Sequence, residues 1–147
     1  MSEIKLEKFD QIGIVVRDID KSKKMLETFL DFKKNLNIVE QSSTVIYHDK
    51  EVTFKMKKIM QTFGGKQFEI CQVIESTGDH LYLEFLKEGK EGLHHLGIYT
   101  KDADKLIEHY KKEYYIDVIQ TGTVGKVNFY YLDTKDSLGF YIELIAF

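Results

Sequence analysis

The sequence has a single cysteine, no excess of positive charge and no long apolar run. One cysteine cannot form a disulfide within the chain, so a reducing, cytoplasmic setting is expected. The net charge at pH 7 is −3, which gives no electrostatic basis for binding nucleic acid. No apolar stretch approaches the roughly 20 residues of a membrane-spanning helix. The first residues, Met1 to Lys5, lack the apolar core of a signal peptide, so we expect neither secretion nor a membrane partner.

What the composition does contain is typical of a globular domain. Hydrophobic residues make up 43% of the chain and charged residues 31%, which is enough apolar material for a core and enough charge for a solvated surface. A chain of 147 residues predicts one domain, or two small halves that share a core.

Two stretches of the chain resemble each other at an offset of 84 residues. Residues 9–16, FDQIGIVV, align with residues 93–100, LHHLGIYT, so that Gln11 falls on His95. Over residues 9–21, five positions are identical to their partners at this offset: Gly13, Ile14, Asp18, Asp20 and Lys21. A self-match at one fixed offset indicates a supersecondary unit that is used twice. In that alignment Gln11 and His95 are equivalent and point to the same face of their strands.

The first half of the sequence predicts a strand, a helix and about three further strands. The first strand runs from Phe9 to Val16, and Asp18 is a suitable N-cap for the helix that follows. That helix is expected to bury Met25, Leu26, Phe29 and Leu30, which recur at helical spacing. The remaining strands are predicted over Thr44–His48, Glu51–Met60 and Gln67–Val73, with turns at Asp49-Lys50 and Gly64-Gly65. In the third strand, Val52, Phe54, Met56 and Lys58 share one face. The run Lys55–Lys58 could attract an anionic thioester or the carboxylate of glutathione, but it is interpreted as a solvated strand face.

The second half repeats this order after a short connector. The connector has a polar break followed by a helix over Leu81–Leu86, ended by Gly89. Asp102 is expected to cap the next helix, with Leu106, Ile107 and Tyr110 facing inward. The strands are predicted over Leu93–Thr100, around Asp117–Gln120, and over Lys126–Leu132 and Phe140–Phe147, with a turn at Gly122–Gly125 and a loop over Asp133–Gly139. The prediction is one domain over 1–147, with module one at about 7–75, the connector at about 76–90 and module two at about 91–147.

Four polar residues interrupt apolar strands at matched positions in the two halves. Gln11 and His95 lie on the first strand of each half, and Glu69 and Glu143 lie on the last. A buried carboxylate is costly unless it is paired or bound to a cation, and two carboxylates in one cavity repel each other. A divalent metal ion resolves both problems. One imidazole nitrogen, one amide oxygen and two carboxylates suit a borderline or hard ion that keeps open positions.

The repeated strand-helix-strand-strand-strand order resembles the vicinal oxygen chelate superfamily of glyoxalases, methylmalonyl-CoA epimerases, extradiol dioxygenases and bleomycin-resistance proteins. The resemblance is carried by the strand openers Gln11-Ile12-Gly13-Ile14 and His95-Leu96-Gly97-Ile98, and by the closing strands that contain Glu69 and Glu143. It implies an α+β fold in which two tandem βαβββ modules form one curved-sheet cup around a metal site. It also implies Gln11, Glu69, His95 and Glu143 as the ligands of a divalent ion, which could be zinc, nickel, cobalt, manganese or magnesium.

The resemblance further implies a lyase or isomerase that acts through a metal-stabilised enolate on a small thioester or hemithioacetal. The ligand set resembles that of glyoxalase I, lactoylglutathione lyase, with Glu143 as the main base and Glu69 serving the opposite face. The segments LEFL at 83–86 and GLHH at 92–95 look more like methylmalonyl-CoA epimerase, which usually opens its first strand with histidine rather than Gln11. Extradiol dioxygenases usually need two histidines and one glutamate, which this set does not supply. Dimers are common for this fold, so a homodimer is expected.

A function of another class is a non-enzymatic resistance protein that binds a small molecule without metal. Such proteins generally lack the four-ligand set, which counts against this alternative. Among the other polar residues, strand alternation places His94 on the opposite face from His95, in a structural role. Tyr99 and Tyr141 are expected to face the cavity. No role is predicted for His48, His80 or His109.

Overall fold

The computed structural model describes residues 4–147 of the chain. Met1 to Glu3 lie outside the described residues. They belong to the segment that, from its sequence, is expected not to be a signal peptide. Across residues 4–147, no helix combines the length and the apolar character that crossing a membrane requires.

Eight strands and four helices follow one another along these residues. The strands are β1 (Gln11–Val15), β2 (Val39–Tyr47), β3 (Lys50–Phe63), β4 (Lys66–Ser76), β5 (Gly92–Thr100), β6 (Val118–Val124), β7 (Val127–Leu132) and β8 (Tyr141–Ala146). The helices are α1 (Ile19–Phe29), α2 (Leu81–Lys87), α3 (Ala103–Tyr114) and α4 (Lys135–Leu138). Each half of the described chain therefore supplies a strand, a helix and three strands, with α2 between the halves and α4 before the last strand.

The strands form one closed sheet in the order β1-β4-β3-β2-β6-β7-β8-β5. In each half the first strand pairs in parallel with the last, β1 with β4 and β5 with β8. The halves are joined by antiparallel pairing of β1 with β5 on one side and of β2 with β6 on the other. The predicted α+β class with a curved-sheet cup is confirmed, whereas the origin of the two halves as tandem modules stays a prediction.

Apolar side chains cover both surfaces of the sheet. Outside the barrel, α1 packs near Ile59 and Ile70, and α3 packs near Ile98 and Leu144. On the inner surface, α2 contributes buried residues to a third cluster, together with Val15, Phe54 and Tyr141. The residues that α2 contributes are Leu81, Tyr82 and Phe85. Side chains of α2 and the strands thus fill one part of the barrel interior. The four polar residues predicted as ligands lie next to this part.

The prediction that α1 buries Met25 and Phe29 is wrong, because these side chains are 55% and 77% exposed. The helix buries Ile19 and packs Leu26 and Leu30 against the sheet. At about 3.6 residues per turn, Ile19 and Leu26 lie on one stripe of the helix. Met25 and Phe29 each lie to the side of that stripe, where no strand covers them.

One of the two predicted N-caps forms. The Asp18 carboxylate accepts a hydrogen bond of 3.1 Å from the backbone N–H of Lys21, as expected for an N-cap. Asp102 occupies the corresponding position before α3, but its side chain makes no capping hydrogen bond. The backbone of Asp102 has φ −112° and ψ 33°, so it lacks the extended conformation that aims an N-cap side chain at the helix.

Three boundaries in the sheet differ from the prediction. β2 begins at Val39 rather than Thr44, and the expected loop over Asp133–Gly139 contains the short helix α4. Gly122 lies inside β6 rather than in a turn, since it pairs with Val45 where β2 meets β6. A Cβ atom at Gly122 would lie 2.5 Å from the Phe129 ring, so this glycine serves close packing between strands.

Candidate functional site

The four residues predicted as metal ligands lie together inside the barrel. Gln11 projects from β1, Glu69 from β4, His95 from β5 and Glu143 from β8, which are neighbouring strands of the closed sheet. All four are buried. The distances from His95 Nε2 are 3.1 Å to Gln11 Oε1, 3.4 Å to Glu69 Oε1 and 3.5 Å to Glu143 Oε1. The four side chains therefore converge on one point, while their role as ligands stays a prediction.

Two glycines make room for this convergence. In the β1–β5 pair, Gln11 is opposite Gly97 and Gly13 is opposite His95. A Cβ atom on Gly13 would lie 2.0 Å from the His95 ring, and one on Gly97 would lie 2.9 Å from the Gln11 side-chain oxygen. Each glycine of the repeated motif thus leaves space for the polar residue of the other half.

Hydrogen bonds orient the amide of Gln11. Its Nε2 donates to Gln67 Oε1 at 2.8 Å, and the Tyr99 hydroxyl donates to the same oxygen at 2.7 Å. With its nitrogen engaged by Gln67, Gln11 presents its oxygen to His95 Nε2. Gln67 is a residue of the site that the sequence did not single out, although it lies at the start of a predicted strand.

His94 lies beside His95 rather than on the opposite face of the strand, so the prediction from strand alternation is wrong. The register between β1 and β5 shifts next to Gly13, and this bulge at His94 breaks the alternation. The Nδ1 atoms of the two histidines are 2.8 Å apart, and His94 is fully buried against the rings of Tyr82 and Phe85. Because His94 engages Nδ1 of His95, the nitrogen that faces the carboxylates is Nε2.

The two carboxylates have different surroundings. Burial favours a raised pKa for Glu69, but His95 and Lys58, whose ammonium lies 3.5 Å from Glu69 Oε2, outweigh burial and lower that pKa. Burial raises the pKa of Glu143, and the nearby Glu69 charge adds to the rise although His95 opposes it. The Oε1 atom of Glu143 is buried and has no hydrogen-bond partner. Glu69 is therefore held as a carboxylate, whereas Glu143 has the higher proton affinity.

The donor set fits a divalent cation in its chemistry. Carboxylate and amide oxygens with one imidazole suit zinc, manganese and similar ions. The partnerless oxygen of Glu143 is an acceptor that a cation would satisfy. Within residues 4–147, no group of three or more histidine, cysteine, aspartate and glutamate side chains is already spaced for coordination. Binding would therefore require these side chains to adjust from hydrogen-bonding to coordinating distances.

A cavity of about 210 Å³ lies beside the cluster, and Gln11, Glu69 and Glu143 form part of its wall. Most of the remaining wall is apolar and comes from β2, β3, β6, β7 and β8. These apolar residues are Val45, Phe54, Met56, Met60, Val124, Val127, Phe129 and Ile145. Tyr99 lines the cavity as expected. The cavity therefore offers a polar end at the cluster and an apolar body for a small molecule.

The expectation that Tyr141 faces the cavity is wrong. Tyr141 is on the inner face of β8, two residues before Glu143, but it belongs to the buried cluster that contains α2. Its ring packs 5.2 Å from the ring of His94. The part of the barrel interior next to Tyr141 is thus occupied by protein.

Lys58 and Tyr131 line the cavity. The sequence analysis gave Tyr131 no role and favoured a solvated position for Lys58 over the attraction of an anionic substrate. The interpretation of Lys58 as solvated is wrong, since its side chain is only 15% exposed. It follows Phe54 and Met56 at a spacing of two, which places it on the inner face of β3, as the alternation in the sequence indicates. The hydroxyls of Tyr131 and Tyr82 are 2.6 Å apart, and no pattern in the sequence could have brought Tyr82 of α2 to this strand.

The family model of the glyoxalase/bleomycin resistance protein/dioxygenase superfamily matches residues 10–146. The chain belongs to this superfamily. This confirms the resemblance inferred from the repeated strand openers. A comparison with curated proteins gives no match.

Solved structures of similar fold cover almost the whole chain. A hypothetical protein from Bacillus halodurans C-125 has a TM-score of 0.66 at 17% identity, covering 95% of this chain and 94% of its own. Methylmalonyl-CoA epimerase from Mycobacterium tuberculosis has a TM-score of 0.62 at 18% identity, covering 94% and 86%. A single-substitution variant of the Streptomyces coelicolor epimerase, in complex with 2-nitronate-propionyl-CoA, has a TM-score of 0.57 at 22% identity, covering 97% and 98%. At these identities the likeness establishes the fold.

Proposed function

We propose that the protein is a metal-dependent lyase or isomerase that moves a proton on a carbon next to a carbonyl group. The observation that carries this proposal is the convergence of Gln11, Glu69 and Glu143 on His95 Nε2 at the wall of a mostly apolar cavity. A group of donors in such a place is costly to bury without a ligand, so a role in binding and catalysis accounts for it.

Gln11, Glu69, His95 and Glu143 would hold the divalent ion. When bound, such an ion acts as a Lewis acid that polarises a carbonyl oxygen and stabilises the negative charge that develops on it. The hydrogen bond from Gln11 Nε2 to Gln67 keeps the amide oxygen of Gln11 turned toward the site. The contact with His94 keeps Nε2 of His95 turned the same way. Partners of this kind orient ligands and tune their basicity.

Glu143 would be the group that takes and returns the proton. Its Oε1 lies 3.5 Å from His95 Nε2 but has no hydrogen-bond partner, and Glu143 forms part of the cavity wall, so this carboxylate is the less firmly held of the two. Glu69 is engaged on both oxygens, by His95 on one and by Lys58 on the other. A positioned carboxylate base typically contributes about 10²–10⁴-fold to a proton transfer. The apolar walls limit water around the reacting carbon.

Glyoxalase I-like chemistry is our first candidate. Glu143 is the one carboxylate that we assign to proton transfer, and the donor set resembles the glutamine, glutamate, histidine and glutamate of that enzyme.

Methylmalonyl-CoA epimerase chemistry is the second candidate. It is supported by the fold neighbours, two of which are such epimerases. Both candidates imply a small thioester or hemithioacetal as substrate. A homodimer also remains part of the proposal and is tested by the mass of the protein in solution.

The test is an activity assay of the protein loaded in turn with zinc, nickel, cobalt, manganese and magnesium. One substrate is the hemithioacetal of methylglyoxal and glutathione, and the other is methylmalonyl-CoA. We expect turnover of one substrate, lost in Glu143→Gln and retained in Glu108→Gln, which changes an exposed residue of α3. Full activity of Glu143→Gln would refute the role of Glu143. Absence of turnover together with absence of metal binding would favour the non-enzymatic binding protein.

A further inference from the structure

Lys58 is a cation inside the cavity that the proposed proton transfer does not use. Its ammonium donates to Gln41 Oε1 at 3.1 Å and lies 3.5 Å from Glu69 Oε2. An ammonium carries three N–H donors. Among the described residues these two contacts engage two of the donors, which leaves one for a molecule in the cavity. Lys58 is also the only cationic side chain among the described residues that line this cavity.

Stability alone gives a weak reason for this lysine. Lys58 follows Phe54 and Met56 on the inward face of β3, so it places a charge where the strand otherwise buries apolar side chains. Because desolvation offsets the attraction in a buried ion pair, the pair with Glu69 adds little to folding compared with an apolar residue of similar size. The ammonium of Lys58 is more readily explained as a contact for a ligand that binds in the cavity.

The balance of charge in the site indicates the charge of that ligand. The cavity wall carries two carboxylates, Glu69 and Glu143, and one ammonium, Lys58. A divalent ion held as proposed above would neutralise both carboxylates. The ammonium of Lys58 would then be the uncompensated charge in a confined, mostly apolar cavity, where the attraction for an anion is stronger than in water.

We propose that Lys58 determines substrate specificity by anchoring a carboxylate group of the substrate next to the reacting carbonyl. This inference rests on the proposed function, because it places the carbonyl at the metal site. Since the ammonium is 3.5 Å from the ligand carboxylate Glu69, the anionic group lies only a few atoms from that carbonyl. The substrate class is therefore a compound that carries a carboxylate a few atoms from its reacting carbonyl, which is a feature of methylmalonyl-CoA but not of the methylglyoxal part of the hemithioacetal.

The test compares two isosteric probes on the zinc-loaded full chain. Succinic acid monohydroxamate and its monoamide analogue share a metal-chelating hydroxamate and differ in one terminal group, a carboxylate or a neutral amide. Dissociation constants are measured by calorimetry for the native protein and for Lys58→Met, Lys58→Gln and Lys58→Arg. The control is Lys55→Met, which removes a half-exposed lysine of the same strand that is paired with Glu40 instead. Circular dichroism and a zinc titration of every variant come first.

We expect the native protein to bind the carboxylate probe about tenfold more tightly than the amide, which corresponds to about 1.4 kcal/mol. Lys58→Met and Lys58→Gln should lose this preference, whereas Lys58→Arg and Lys55→Met should keep it. An unchanged preference in Lys58→Met or Lys58→Gln, with zinc still bound, would overturn the role of Lys58 alone. If the native protein binds another of the five divalent ions instead of zinc, the probes are measured on that loaded form. Failure of the native protein to bind any of the five ions would overturn the proposed function, and the inference with it.

Discussion

Gly13 lies directly opposite His95 across the β1–β5 pair, and a Cβ atom at Gly13 would be 2.0 Å from the His95 ring. Gly97 stands in the same relation to Gln11. Gly13 and Gly97 are equivalent positions of the repeat, since they are 84 residues apart. Across the strand pair, each glycine therefore lies opposite the polar residue of the other half. The absence of a side chain at these points is therefore part of the site.

Replacing Gly13 with alanine should displace the His95 ring, because no flexible chain end is available to move aside. We expect the free energy of unfolding to fall by about 1–3 kcal/mol, the usual cost of overpacking, and zinc affinity to fall with it. Thermal unfolding and a zinc titration measure the two effects. Gly78→Ala is the control, since a Cβ atom there has no neighbour nearer than 3.8 Å. Native-like zinc affinity in Gly13→Ala would contradict the assigned position of His95.

The orientation of Gln11 should depend on Gln67. In Gln67→Leu the Gln11 amide loses the acceptor of its nitrogen, so its oxygen is no longer held toward the site. Changes to partners of metal ligands typically reduce affinity by about 10–100-fold, and we expect a loss of zinc affinity in that range. Tyr99→Phe removes one donor to Gln67 but leaves the Gln11 contact, so its loss should be smaller. Equal zinc affinities for the native protein, Gln67→Leu and Tyr99→Phe would contradict the role of Gln11 as an oriented ligand.

Lys58 should weaken metal binding through charge repulsion, since its ammonium is 3.5 Å from the carboxylate of Glu69. Removing a like charge this close to an incoming cation should raise affinity. We expect Lys58→Met to bind zinc about tenfold more tightly than the native protein, measured by competition with a chelator. Weaker binding in Lys58→Met would mean that Lys58 serves to hold Glu69 in place rather than to oppose the ion.

His80 should make the fold sensitive to acid. Burial lowers its pKa from 6.5 to about 4, and neither ring nitrogen has a hydrogen-bond partner. The folded protein thus keeps His80 neutral, whereas the unfolded chain takes up a proton below pH 6.5. Protonation of the unfolded chain therefore lowers the free energy of unfolding as the pH falls from 6.5 toward about 4.

The size of this loss is on the order of 3 kcal/mol, since one pKa unit corresponds to about 1.36 kcal/mol. His80→Phe keeps the ring that stacks on Phe54 at 3.9 Å, and it should lose less stability between pH 7 and pH 4 than the native protein does. Urea unfolding at several pH values measures the difference. His48→Asn, at an exposed position with φ 47°, should behave like the native protein. Parallel curves for native protein and His80→Phe would contradict the buried, neutral state.

Much of the fold was predictable because a repeated motif carries information over the whole chain. The offset of 84 residues places Gln11 with His95, and alternation within strands then brings Glu69 and Glu143 to the inner face. The wrong predictions concern side chains whose direction or burial is not set by strand alternation or helical spacing. A bulge turned His94 toward His95, and α2 filled the part of the barrel next to Tyr141. These depend on long-range packing, which local periodicity does not contain.

The burial of Lys58 is a different case. Its register places it on the face of Phe54 and Met56, but a lysine in a run of charged residues favours a solvated position, and the sequence does not show that this face lines a closed cavity. The same alternation that identified Glu69 applies to Lys58, since both interrupt an apolar face. His80 gave no such signal, because its burial depends on the packing of its loop against Phe54.

The most direct test of the account is the metal content of the protein. Protein purified without chelator is soaked with each of the five divalent ions, freed of excess and examined by elemental analysis, alongside His95→Leu. The account predicts one tightly bound ion per chain in the native protein and loss of that ion in His95→Leu. Native protein that retains no more metal than His95→Leu, for all five ions, would contradict it.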